Sequence, residues 1–234
     1  MHSTPHIVSD VMSHTVAAVG RRAAFKEIVQ LMHDWKVSAL PVLEGEGRVV
    51  GVVSEADLLP KEEFRDSDPD RATQLRRLGD LAKAGGLTAE DLMASPALTV
   101  RADATLAQAA RAMAHAKVKR LPVVDHVGML QGIVSRADLL KVFLRDDDEI
   151  AEEVRREVVA HLFPATVSAV RVEVRNSVVT LTGHARDTSL VPMAARLVRA
   201  VEGVVDVEFE LTRSQSPAEP TAAPANGGEN LSRA

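Results

Sequence analysis

The chain of 234 residues has no cysteine and no tyrosine, and only one tryptophan, Trp35. Without cysteine there is no disulfide, no thiol nucleophile and no zinc site built on thiolates. Aromatic residues make up 3% of the chain, so aliphatic side chains must fill any core, and an apolar share of 46% is enough for one. No stretch approaches the ~18 consecutive apolar residues of a membrane-spanning helix. The opening MHSTPHIVSD lacks a basic region followed by an apolar run, so it does not read as a secretory signal. A surplus of positive charge is missing as well. The net charge is -5, so a nucleic-acid partner, whose phosphates are bound by neutralising Lys and Arg, is not expected. A soluble, cytoplasmic protein is the expectation.

Motifs of catalysis are also absent. There is no G-x-x-x-x-G-K-[ST] loop and no G-x-G-x-x-G, and none of the eight histidines stands in H-E-x-x-H spacing. With no thiolates and no carboxylates clustered at ligand spacing, each histidine reads as an ordinary side chain. The expectation is a protein that is not an enzyme and requires no cofactor or metal.

What is present is a repetition. GVVSEADLL at 51–59 returns as GIVSRADLL at 132–140, and residues 10–59 lie on 91–140 without a gap, with 18 identities. Met12 and Met93, Lys36-Val37 and Lys117-Val118, and Leu40-Pro41-Val42 and Leu121-Pro122-Val123 are among them. A fixed offset over this length means two copies of one structural unit. In each copy a helical stretch comes first, with Phe25, Ile28, Val29 and Met32 on one face, or Leu106, Ala109, Ala110 and Met113. A strand follows (39–43 or 120–124), then a polar turn, a second strand (49–53 or 130–134) and a helix start at Ser-x-Ala-Asp-Leu-Leu. A unit of about 50 residues is small to bury a core alone, so the two copies should pack together. Residues 60–90 between them are charged and helix-prone, punctuated by Pro60, Pro69 and Gly85-Gly86.

The repeated Ser-x-Ala-Asp has two readings. In the first, Ser54 and Ser135 are helix N-caps and Asp57 and Asp138 are their capping-box partners, worth about 1 kcal/mol per helix. In the second the cap also builds a site. A helix N-terminus suits a phosphate, and a carboxylate one turn in can accept hydrogen bonds from the vicinal hydroxyls of a ribose.

The twin G-V/I-V-S-x-A-D-L-L and K-V-x-x-L-P-V segments resemble CBS domains, and the pair over residues 7–146 resembles a CBS tandem. The resemblance implies a cleft between the repeats that binds AMP, ADP, ATP or S-adenosylmethionine as a regulatory ligand, and a homodimer. It implies that Asp57 and Asp138 hold ribose hydroxyls and that Ser54 and Ser135 approach phosphate. The base would be bordered by Ala39, Leu40 and Pro41 in the first site and by Arg120, Leu121 and Pro122 in the second, with Ser38 and Lys119 as further residues of their sites. The family often places a Thr at the first strand; Thr99 matches this, whereas Ala18 stands in its place in the first copy. Lys119, Arg120 and Arg136 replace Ser38, Ala39 and Glu55 of the first copy. An anionic ligand is therefore expected to prefer the second site.

After RDDDE at 145–149 the pattern changes. Ile150, Val154, Val158 and Leu162 recur every fourth residue, as on an amphipathic helix. Val170, Val172 and Val174 alternate as a strand, Asn176-Ser177 forms a tight turn into VVTLTG, and a helix over 188–201 is closed by Gly203. Val205, Val207, Phe209 and Leu211 alternate as a third strand. V-V-T-L-T-G and V-E-G-V-V-D-V make residues 149–213 resemble a BON domain, which implies a protein or phospholipid-surface partner. Ten acidic against eight basic residues there are not the polybasic pattern that anionic lipids attract.

The expected architecture is α/β (α+β): two CBS βαββα repeats packed as a pseudo-twofold tandem, followed by a small αββαβ BON domain. The expected divisions are an N-terminal segment 1–9, repeats at 10–59 and 91–146 around a linker 60–90, the BON domain 149–213, and a disordered tail 214–234. Two functions fit: a sensor whose tandem binds an adenosine-containing ligand and signals to the BON domain, or a dimerisation and interaction scaffold in which the Ser-Asp pairs are only caps.

Overall fold

The computed structural model describes residues 6–65, 71–165 and 169–213. Pro69 and the tail expected over 214–234 lie outside them. The chain divides into two compact units between Arg145 and Asp146.

The first unit opens with α1 (Val8–Val11), β1 (Val19–Gly20), α2 (Phe25–Trp35), β2 (Ala39–Glu44), β3 (Arg48–Ser54) and α3 (Glu55–Leu58). The connector carries α4 (Pro60–Glu63), α5 (Arg71–Arg76) and α6 (Leu78–Gly85). The second copy follows as α7 (Ala89–Leu92), β4 (Val100–Arg101), α8 (Leu106–Ala116), β5 (Arg120–Val124), β6 (Leu130–Ser135) and α9 (Arg136–Leu140), with a 3-10 turn over Lys141–Leu144. Each copy builds a three-stranded sheet in which the short first strand runs parallel to the second and the second pairs antiparallel with the third.

Each sheet is covered by one side of its long helix. Ile28 and Met32 of α2 are buried, as are Leu106, Ala109 and Met113 of α8. Val29 was expected on the same face but is 42% exposed, and its counterpart Ala110 is exposed too. The stripe that touches the sheet is one residue narrower than the helical spacing allows.

The first turn of each copy packs on the other copy's sheet. Val8 belongs to the core formed by Leu106, Met113, Leu121 and Val134. Ala89 and Leu92 belong to the core formed by Ile28, Leu40, Val42 and Val53. The hydrogen bonds repeat the exchange. Val8 N–H donates to Ala104 O and Ala89 N–H to Ala23 O, each at 2.9 Å. Ser13 exchanges two bonds with Ile133, and Ala94 two with Val52. Neither sequence repeat is therefore a closed packing unit, and the pair folds as one body.

The second unit consists of α10 (Asp147–Val154), a π-helical turn (Arg155–Val159), α11 (Ala160–Leu162), β7 (Ala169–Arg175), β8 (Val178–Ala185), a 3-10 turn (Thr188–Leu190), α12 (Val191–Ala200) and β9 (Asp206–Arg213). The sheet order is β7-β8-β9, with β8 and β9 parallel. Ile150, Val154 and Val158 are buried against Val172, Val179, Leu181 and Val198. Asn176 and Ser177 both have positive φ, 50° and 63°, as the turn between β7 and β8 requires. The Asp147 carboxylate receives both their N–H groups, at 2.8 and 2.9 Å. Two expectations are corrected. Val205 lies before β9 and is 63% exposed, because its N–H is drawn to Ser177 O at 2.8 Å. The helix expected over 188–201 starts as a 3-10 turn and becomes α-helical at Val191, where Pro192 fits the first turn.

Candidate functional site

Strand register brings the two repeated motifs together. Ala39 opens β2 opposite Ser54, which ends β3, and Arg120 opens β5 opposite Ser135, which ends β6. The start of one motif thus borders the helix N-terminus formed by the other.

In both Ser-Asp pairs the carboxylate reaches back to the serine, and in the second copy Ser135 Oγ also accepts from Asp138 N–H at 3.3 Å. Asp57 Oδ2 accepts from Ser54 N–H at 2.8 Å and from Ser54 Oγ at 2.6 Å. Asp138 Oδ2 accepts from Ser135 N–H at 2.9 Å and from Ser135 Oγ at 2.7 Å. The other oxygen of each carboxylate meets a lysine: Lys83 for Asp57, and Lys141 at 2.7 Å for Asp138. Burial raises the Asp138 pKa, but the Lys141 and Ser135 hydrogen bonds outweigh it and hold the carboxyl below its ordinary value.

Beside Asp57 lies a cleft of about 370 Å³. The first copy contributes Ser38, Ala39, Val52, Ser54, Glu55, Ala56 and Asp57 to its lining. The second contributes Ala94, Pro96 and Leu98 from the stretch after α7, and Lys117 to Leu121 around the start of β5. One part of this lining is apolar, from Val52, Ala94, Pro96, Leu98, Val118 and Leu121. Three cations, Lys117, Lys119 and Arg120, stand against two carboxylates, Glu55 and Asp57. Arg120 reaches across the tandem, its Nη2 donating to Ser38 Oγ at 3.0 Å. Its Nε is buried and has no hydrogen-bond partner. A buried guanidinium donor left without a partner is costly.

The structure distributes the expected site residues unevenly. Ser38, Ala39, Ser54 and Asp57 share the cleft, and Lys119 and Arg120, expected beside Asp138, line this same cleft. Arg136 is exposed, and its Nε donates to Val118 O at 3.0 Å. Pro41 and Pro122 are buried in their strands. Thr99 lines a different cavity of about 440 Å³, with Arg21, Arg48 and Ser95. Ser135 and Asp138 keep each other's company as a cap. Leu98, Pro96 and Lys117 were missed as lining residues. An offset of 81 shows which residues are equivalent, not which ones face each other across the pair. Among the described residues no group of His, Asp and Glu is placed to hold a metal ion, and no helix is long and apolar enough to cross a membrane.

The CBS domain model matches residues 8–61 and 89–145, and the BON domain model matches 146–214. The CBS domain-containing protein CBSX2, chloroplastic, of Arabidopsis thaliana is 34% identical over 132 residues, which are 51% of this chain and 55% of that one. An uncharacterised protein of Methanocaldococcus jannaschii is 29% identical over 134 residues, 50% of this chain and 80% of that one. A crystal structure of CBSX2 in complex with AMP superposes with a TM-score of 0.53 at 32% identity, covering 59% of this chain and 97% of the other. With two sheets of one topology that exchange their first turns, and a third sheet after Arg145, the chain belongs to the CBS-domain proteins, as a CBS pair followed by a BON domain.

Proposed function

We propose that this chain is a non-enzymatic sensor whose CBS pair binds an adenosine-containing ligand (AMP, ADP, ATP or S-adenosylmethionine) in the cleft beside Asp57. The observation that carries the reading is that Asp57 of the first copy and Lys119 and Arg120 of the second line one cleft of about 370 Å³. Asp57 accepts the ribose hydroxyls, the apolar wall of Val52, Leu98 and Val118 takes the base, and Lys119 and Arg120 meet the phosphate. The AMP bound by CBSX2 supports this class of ligand. The preference for an anion belongs to this cleft rather than to Ser135 and Asp138, because Lys119 and Arg120 line it. Pro41, Pro122, Thr99 and Arg136 have at most an indirect part. In this reading the pair forms a homodimer, and its occupancy is signalled to a BON domain that engages a protein or phospholipid surface, the coupling appearing when that partner is bound. A ligand moves such an equilibrium only by its differential affinity for the two states.

Calorimetric titration of the full-length protein with the four ligands tests this, with Asp57→Asn and Arg120→Ala alongside. Wild type binds at least one, and either substitution weakens binding about tenfold to a hundredfold, as loss of a hydrogen bond to a charged group implies. No heat with any of the four overturns it. A second reading, a scaffold that binds no nucleotide, is favoured by one fact: Ser54-Asp57 and Ser135-Asp138 satisfy each other as caps without a ligand.

A further inference from the structure

The two copies differ in where the lysine on the capping aspartate comes from. In the second copy it is Lys141, three residues beyond Asp138 and adjoining the same helix. The equivalent residue of the first copy is Pro60, which starts α4 and brings no ammonium. The Asp57 partner is instead Lys83, 26 residues away on α6 of the connector. Both side chains are largely shielded, Asp57 to 14% exposure and Lys83 to 26%, whereas Lys141 is 55% exposed.

Lys83 does not line the cleft, so Asp57 stands between the cleft on one side and α6 on the other. Its oxygens are already allotted. Oδ2 accepts twice from Ser54, and Oδ1 holds Lys83. A vicinal diol that places both its donors on Oδ1 competes with the ammonium for the two lone pairs there. Within the connector α6 is tied to α4 at both ends. Arg77, at the head of α6, pairs with Glu63 of α4 and with Asp80, and its guanidinium lies 4.9 Å over Phe64. At the tail, Lys61 of α4 donates to Ala84 O at 2.9 Å.

We propose that Lys83 is a latch by which the connector reads occupancy of the cleft: a ligand whose hydroxyls engage Asp57 releases α6, and docking of α6 opposes that ligand. The proposal rests on the nucleotide reading above. The second copy has no such device, because its lysine adjoins the helix of Asp138 and cannot carry a distant element. Lys83 acts through Asp57 and touches no ligand itself.

Hydrogen exchange of the full-length protein reads the latch directly, with adenosine and AMP as probes and Lys83→Met and Lys141→Met as variants. Adenosine lacks the phosphate, so the charge removed with Lys83 does not act on it. The expected result in wild type is that either probe speeds exchange of the α6 amides about threefold to tenfold. In Lys83→Met exchange there is already fast, the probes add nothing, and by linkage adenosine binds tighter by the same factor. Lys141→Met leaves α6 and adenosine affinity as in wild type. Probes that bind wild type but leave α6 exchange unchanged or slower overturn the latch and spare the ligand reading. Failure of both probes to bind wild type and Lys83→Met removes the ligand reading and the latch with it.

Discussion

Lys36 and Lys117 end α2 and α8 in the left-handed region, with φ of 52° and 56°, where glycine is the easier residue. The conformation lets Val37 N–H return to Met32 O and Val118 N–H to Met113 O, each at 3.0 Å, which satisfies the last carbonyls of both helices. Lys36→Gly relieves the strain and stabilises the first unit by about 0.5–1 kcal/mol, read as a higher urea midpoint at unchanged slope. Lys117→Gly brings a similar gain but removes a cation from the cleft lining. The repeated Lys-Val was visible in the sequence, yet its backbone conformation was not, since lysine carries no signal for positive φ. Asp138 gives a second prediction at this scale. Its carboxyl is held below 3.8 by Lys141 and Ser135 against the opposing effect of burial. The unfolded chain, with a pKa of about 3.9, then binds the proton more readily than the folded one. The stabilisation by this carboxylate is complete above about pH 4 and is lost as pH falls through the lower folded value. The stability difference between wild type and Asp138→Asn, measured by denaturation from neutral pH down to about pH 2.5, should stay level to about pH 4 and shrink below it.

Among the elements, the crossed first turns explain residues that the repeat left unexplained. Gly51 and Gly132 open the repeated motif because another segment lies against them. A Cβ on Gly51 would press into the Met93 side chain, 2.8 Å from its Cγ. On Gly132 it would stand 2.8 Å from Met12 Sδ and also 2.8 Å from the Ser13 carbonyl oxygen. The identity of Met12 with Met93 and of Gly51 with Gly132 was legible at the offset of 81; that each methionine crosses the other copy's glycine was not, because equivalence carries no information on adjacency. The two glycines should respond differently. The Met93 Cγ and Sδ can turn aside and leave only its Cβ, at 3.0 Å, whereas the Ser13 carbonyl is fixed by its bond from Ile133 N–H at 3.0 Å. Gly132→Ala should therefore cost about 1–3 kcal/mol and Gly51→Ala clearly less, in paired denaturation curves. Equal costs would mean that the crossing turns are not held by their backbone bonds. Elements built on local rules were read with fewer errors. The Asn176-Ser177 turn and the alternation of β7 follow from two neighbouring residues or a period of two, whereas the π-helical turn over Arg155–Val159 leaves the four-residue spacing of Ile150, Val154 and Val158 intact and so gave no sign of itself.

For the whole molecule, the separation at Arg145–Asp146 sets how stability is shared. The cores centred on Leu40 and Leu121 use residues of the first unit alone, and the core centred on Leu181 uses residues of the second alone. Units with separate cores melt as separate cooperative transitions. Calorimetry of the full-length protein should show two. AMP at a hundred times its Kd should stabilise the CBS pair by about 2.7 kcal/mol and leave the BON transition where it was. Leu181→Ala should lower the BON transition alone, by about 2–5 kcal/mol. This independence bears on signalling. If occupancy of the cleft changes how tightly the BON domain holds its partner, the partner must change the affinity of the cleft by the same factor. The coupling then belongs to the partner-bound protein, and in its absence the two transitions move separately. A BON transition that shifts with AMP alone would instead mean that the two units already share free energy across Arg145–Asp146.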